Sequence, residues 1–397
     1  MVKVAGVSLA ARRNRWKILV PAAVLIVAGL VAGGLYFRSR SATTLTEKDT
    51  IVLADFANTT GDTVFDETLK QGLSVELSQS PFLNILTDRR VSETLKLMGH
   101  APGDGLTQEV TREICVRTNS KVMLAGSISS LGSQYVIGLK AVNCNSGDAL
   151  AQEQLQAAAK EEVLKALDKA AANIRSTLGE SLVSVQKFAT PVEEATTSSL
   201  EALKAYSVGL KTRREKGELE AIPFYKRAIE LDPNFALAYA GLGVVYVNLG
   251  QASLANTNIS KAYELRNRVS EREKYRFAAY YYGFVTGELD KANQVYQVWR
   301  QSYPRDDVPP GNLGVNYITM GQWEKALPEN EESLHLEPND IYGYTSLGVN
   351  YLGLNRVKDA EAIFDQALAH KLDSSYLRLF VYYAAFLRND AAACSSN

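Results

Sequence analysis

Histidine and cysteine are scarce, with three of each in 397 residues. His100, His335 and His370 are scattered, and Cys115, Cys144 and Cys394 have no C-x-x-C spacing. The clustered donors of a zinc site are missing, so no metal or other cofactor is expected. Neither sign of charge is in excess, because 43 basic residues meet 44 acidic ones. A formal net charge of −1 gives no long-range field for phosphate backbones, which argues against nucleic acid as a partner. Also absent are a G-x-S-x-G elbow, a Walker A loop and an H-E-x-x-H pair. What the chain does have is 46% hydrophobic residues and 20 tyrosines, enough for packed domains rather than a disordered tail.

One run is long and uncharged. Residues 18–37 carry no charge and would be about 30 Å long as a helix, the hydrocarbon thickness of a bilayer. Lys3, Arg12, Arg13, Arg15 and Lys17 precede it, while only Arg38 and Arg40 follow before Glu47 and Asp49. This asymmetry predicts a cytoplasmic tail (1–17), a single pass through the inner membrane, and the bulk of the chain in the periplasm. A cleaved signal peptide is the competing reading, disfavoured by the length of the run and the lack of a clean A-x-A site. Gly29 and Gly33 form a G-x-x-x-G inside the span. That spacing permits close dimerisation of two such helices, although glycine is common in such spans and an apolar helix with no partner is the plainer reading.

Residues 38–47 read as a linker and 48–187 as a small α/β sandwich domain. A buried-strand pattern at 50–56 ends in turn residues. The segment 64–79 then sets Phe65, Leu69, Leu73 and Leu77 on one helical face before Pro81. With a strand at 82–86 this makes a β-α-β unit. Helices are expected over 88–97 and 107–118, strands over 121–128 and 134–143, and one long helix over 161–185. Cys115 and Cys144 fall on a helix and at a strand end, and outside the cytoplasm the pair can be bridged or free. Cys394 reads as a free terminal thiol. A catalytic reading would need Asp88, Glu93 and Glu113 gathered in one pocket. The sequence offers no such cluster, so the chain is expected not to be an enzyme.

After a second linker (188–201), a period of about 34 residues runs through 202–397. Tyr239, Leu242, Gly243, Tyr246, Gly250, Ala255, Ile259 and Ala262 stand at the tetratricopeptide spacings in one copy. Leu313, Gly314, Tyr317, Gly321, Ala326 and Pro338 do so in another, and Tyr344, Leu347, Gly348, Tyr351, Ala360, Phe364 and Ala367 in a third. Weaker copies around Tyr225 and Tyr296 bring the count to five repeats. Stacked helix pairs leave a concave face lined by the first helix of each pair. The repeat template places Tyr206, Phe277, Tyr281, Phe284, Ile318 and Tyr342 there, with Leu203, Val315 and Val349. This apolar lining suits an apolar or extended peptide and lacks the Lys and Asn clamp for a terminal carboxylate. The competing reading is that the tyrosines only pack helix on helix. A last helix at 375–387, SYLRLFVYYAAFL, lacks the polar outer face of a cap, which points to truncation or to a dimer contact.

The segment IVLADFANTTGD, followed by FDETLKQGLSVELSQSPFLNIL, resembles periplasmic α/β modules related to the N-terminal domain of TolB and to curli-assembly lipoproteins. That resemblance implies a domain that binds partner proteins. Over nearly the whole chain, RWKILVPAAV, TEKDTIVLADFANTTGD, VSEREKYRFAAYYYGFVTGELDKA and YPRDDVPPGNLGV resemble the extracytoplasmic half of acidobacterial transmembrane serine/threonine kinases with tetratricopeptide repeats. The kinase domain of that family is missing here. Asp55-Phe56-Ala57 looks like a D-F-G triplet but stands without the Gly-rich and H-R-D loops. The resemblance implies a sensor and scaffold role and an internal start at Met1. The expected whole is α+β: one membrane helix, an α/β domain and an all-α repeat solenoid. It would bind a periplasmic protein or peptide, with a homodimer as a further expectation. The alternative is the orphaned sensor half of a transmembrane kinase system.

Overall fold

The computed structural model describes residues 45–46, 49–101 and 104–388. The expected membrane segment 18–37, with Gly29 and Gly33, lies outside the described residues, as does Cys394. No described helix is long and apolar enough to cross a membrane.

Strand β1 (Thr50–Leu53) is buried on both faces, with Ile51 and Leu53 turned to one core and Val52 to the other. A two-residue strand β2 (Ala57–Asn58) follows and pairs with β4 (Val122–Leu131). β1 pairs in parallel with β3 (Asn84–Ile85) and β4, and β4 leads antiparallel into β5 (Gln134–Asn143) and β6 (Ala149–Ala157). The order is β3-β1-β4-β5-β6. β6 lies outside the expected strands because Gln152, Gln154 and Gln156 on its outward side give it a polar sequence. Its inward Ala151, Leu155 and Ala157 nevertheless keep the period of two.

Helices α1 (Asp66–Ser78) and α4 (Val163–Thr177) share one core with Ile51, Leu53, Leu124 and Leu139. On the other face α2 (Asp88–Leu97) and α3 (Gln108–Arg117) bury Val91, Leu95 and Ile114 against Val52 and Met123. The result is a three-layer sandwich. The long helix expected over 161–185 is broken. α4 ends at Thr177, Gly179 takes φ +116°, and a short α5 (Leu182–Lys187) restarts the chain.

Cys115 on α3 and Cys144 after β5 are joined by a disulfide, Cα to Cα 5.9 Å. It closes a loop across 29 residues, so reduction, or replacement of both cysteines by alanine, is expected to cost about 3.5 kcal/mol in a urea melt.

The expected linker 188–201 is packed rather than loose. Its helix α6 (Val192–Ala195) buries both end residues completely, and the Gln79 amide donates to the Thr190 carbonyl (2.8 Å) and accepts from its N–H (2.9 Å). Beneath it Arg175 is buried, reaching both carboxylate oxygens of Glu180 at 2.9 and 3.0 Å and Glu76 at 2.9 Å.

Five helix pairs follow. They are α7 (Leu200–Glu215) with α8 (Glu218–Leu231), α9 (Ala236–Asn248) with α10 (Ala252–Glu264), and α11 (Glu271–Tyr280) with α12 (Leu289–Ser302). The last two are α13 (Val308–Thr319) with α14 (Trp323–Leu336) and α15 (Ile341–Gly353) with α16 (Val357–Ala369), and α17 (Ser375–Leu387) packs on the fifth. The two helices of a pair touch closely. A Cβ on Gly314 would stand 2.0 Å from the Asn330 side chain, and one on Gly348 would stand 2.0 Å from the Phe364 ring.

Candidate functional site

The left-handed glycines that end the first helices keep the period from Gly287 to Gly321, 34 residues. From Gly250 to Gly287 they are 37 apart. The three extra residues are absorbed by a 3₁₀ turn at Arg266–Arg268 and a π-helical stretch at Tyr281–Thr286 that continues α11. This changes which side of α11 faces inward. Phe277, expected on the accessible lining, is 1% exposed, and Tyr281 stacks on Tyr263 of α10 with ring centroids 4.2 Å apart. Tyr206 is also buried, between the rings of Tyr225 and Phe235 at 5.8 and 5.1 Å. Tyr206 and Phe277, both buried, are corrections to the expected accessible lining, while Tyr281 stays half-buried. A fixed 34-residue template cannot register an insertion, and the early aromatic positions serve the core. Arg272 stands instead beside the α/β unit, bordering its crevices with the array.

That unit lies directly against the repeats. From α7, Lys204 reaches Thr63 (2.9 Å), Lys211 reaches Glu67 (2.7 Å) and Arg214 reaches Asp88 (2.5 Å). Farther along, Arg89 pairs with Asp340, the Thr87 hydroxyl donates to Glu337 (2.9 Å), and the Tyr303 hydroxyl donates to the Gln79 carbonyl (3.2 Å). The unit therefore bridges the first repeat to the loops that precede α13 and α15. A crevice of about 220 Å³ in this junction is lined by Asp55, Glu67, Lys70, Asp88, Lys96, Lys211 and Arg214. Its charges are largely spent on one another, since Lys70 holds Asp55 at 2.6 Å beside the two pairs from α7. Asp88, Glu93 and Glu113 are engaged separately. Glu113 pairs with Arg117, and Glu93 faces Arg89 and Glu337, with burial raising its pKa. Burial, reinforced by Asp306, pushes Asp307 up to about 6.

The inner face stays open at α13 and α15. Val315 is 45% and Tyr342 64% exposed, with Ile318 and Val349 half-buried beside them. Neither helix contains a charged residue: VPPGNLGVNYIT and IYGYTSLGVNYLG. First helices without charge are legible in the sequence at α9 (ALAYAGLGVVYVN) as well as at α13 and α15, and what sets the later two apart is the exposure of Val315 and Tyr342, since α9 exposes none of its large apolar side chains. Phe284 is 44% exposed at the end of the π-helical stretch, apart from this pair of helices.

The stacked helix pairs define a tetratricopeptide-type helical solenoid carrying a small sheet region. A family model described as TPR repeat matches residues 211–250. The chain is similar to Superkiller protein 3 of Schizosaccharomyces pombe, 23% identical over 195 residues, which make up 46% of this chain and 13% of that protein. Among solved structures it is similar to PilW, a widely conserved type IV pilus biogenesis factor, at 16% identity and a TM-score of 0.39, over 49% of this chain and 89% of that one. It is also similar to a thermophilic TPR protein of Thermus thermophilus, at 20% identity and a TM-score of 0.37, over 47% of this chain and 99% of that one.

Proposed function

We propose that the chain is a membrane-anchored, extracytoplasmic interaction scaffold that holds an apolar segment of a partner protein on α13 and α15. The observation that carries this reading is the uncharged, partly exposed stripe of Val315, Ile318, Tyr342 and Val349. Exposed apolar surface of this kind is costly to leave in water and gains from a partner that covers it. The α/β unit takes up α7 and the loops before α13 and α15, and it leaves the exposed side chains on α13 and α15 themselves for a partner. The uncharged run at 18–37 supports the anchor, and the buried Cys115–Cys144 disulfide suits an oxidising compartment.

The test is capture of envelope proteins by the full chain and by a Val315→Glu, Tyr342→Ala variant. Both side chains are exposed, so the thermal melt should not move while capture falls by about tenfold or more. Equal capture by both chains would remove α13 and α15 from the binding surface. For the anchor, the chain should stay with membranes through an alkaline carbonate wash, and release into the soluble fraction would refute it.

A further inference from the structure

Helix α17 carries an apolar stripe that no other described residue covers. Tyr376, Leu379, Tyr383 and Phe386 are 52, 43, 44 and 65% exposed. Their steps of three, four and three residues are the a/d spacing of a helix that packs lengthwise on a second helix. The opposite side, with Leu377, Ala384 and Ala385, is buried against the fifth repeat.

We propose that this stripe pairs with the same helix of a second copy, antiparallel across a two-fold axis. A two-fold contact must be self-complementary. Antiparallel pairing meets that demand, because Tyr376 faces Phe386 of the partner subunit and Leu379 faces the partner's Tyr383, each layer repeating beyond the axis. Asp373, before the helix, is held by Arg378 (2.6 Å), and Arg388, after it, is held by Glu361 (2.7 Å), so the charges at both ends are paired within each copy. The helix dipoles favour the antiparallel direction, which sets each N-terminus beside the partner's C-terminus. The one charge within the helix, Arg378, is held aside by Asp373 at 2.8 and 2.6 Å. With Tyr382 and Leu387, 37 and 59% exposed, each copy offers on the order of 600 Å² of apolar surface. The pair then buries roughly 1,200 Å², the small end of specific interfaces, so association should be reversible and micromolar. This contact is independent of the surface on α13 and α15.

The experiment is sedimentation velocity on the full chain in detergent, over a concentration series, with Cys394→Ser in every arm. A reversible dimer is expected. Leu379→Glu with Tyr383→Glu should weaken it by about tenfold or more without moving the circular dichroism melt. Gly29→Leu with Gly33→Leu should leave it intact. Tyr376→Cys with Phe386→Cys should give a disulfide-linked dimer on oxidation, because ten residues of helix hold the two thiols about 15 Å apart within one chain. Either cysteine alone should give none. The proposal fails if the chain is monomeric into the high micromolar range, or if the dimer ignores the Leu379 and Tyr383 pair. It also fails if the glycine pair alone abolishes the dimer, or if Tyr376→Cys crosslinks by itself.

Discussion

Arg175→Leu should cost about 3 to 5 kcal/mol, read as a drop in the denaturant midpoint of the α/β unit, because it strands buried carboxylates. Arg175 and Glu76 are almost fully inaccessible, and Glu180 is 3% exposed. Burial raises the Glu180 carboxyl, but Arg175, Ser80 and Ser184 together hold it below its ordinary value. One guanidinium cannot do the same for two carboxylates. Glu76, raised first by burial and then by Asp168 with Arg175 opposing, is pushed up to about 8. Removing Arg175 and Glu180 together, as Arg175→Leu with Glu180→Leu, should recover part of the loss, since Glu180 is then gone and Glu76, without its guanidinium, is buried as the neutral acid.

The sign of the pH dependence follows from Glu76. Below its ordinary value of 4.5 both the folded and unfolded chains hold the proton, and above about 8 neither does. Between them the folded chain keeps a proton that the unfolded chain has lost. Stability should therefore fall as pH rises from 4.5 to 8, at up to about 1.4 kcal/mol per unit. Glu76→Gln should flatten that slope and stabilise the protein most at the alkaline end. A variant with the parent's slope would assign the titration to another group.

Trp299→Ala is expected to cost a further 3 to 5 kcal/mol, in the array rather than the sandwich. Trp299 is fully buried on α12, stacks with Tyr296 at 6.1 Å and donates its indole N–H to Asp306 at 2.9 Å. Asp306 also takes Arg272 at 2.6 Å, so this indole anchors the loop from which Tyr303 and Arg305 reach the Gln79 and Phe82 carbonyls. Besides the lower melting temperature, amide exchange at residues 79–90 should quicken, because that stretch loses its support from the array. Trp299→Phe should keep most of the packing and lose about 1 to 2 kcal/mol, the share of the bond to Asp306. If exchange in the sandwich is unchanged while the array melts early, the two units are not coupled through this loop.

Much of the architecture was legible because it rests on local periodicity. Alternation through Ile51, Val52 and Leu53 marks a strand buried on both sides. Gly314 and Gly348 mark where two helices must touch, and the uncharged first helices α9, α13 and α15 stand out from the charged α7 and α11. Local pattern misled where an insertion interrupts the period, at Phe277, and where polar outward residues disguised a strand, at β6.

The sequence by itself determined the helix pairs, the β-α-β start and the apolar face of each element, because those depend on residues three, four or two positions apart. Only the tertiary structure decided which neighbour covers each face. It joined Cys115 to Cys144, buried Tyr206 and set the α/β unit against the repeats through pairs such as Arg89 with Asp340, 251 residues apart. A single charge or ring carries no period that names its partner, and its contact exists only once folding has brought distant segments together.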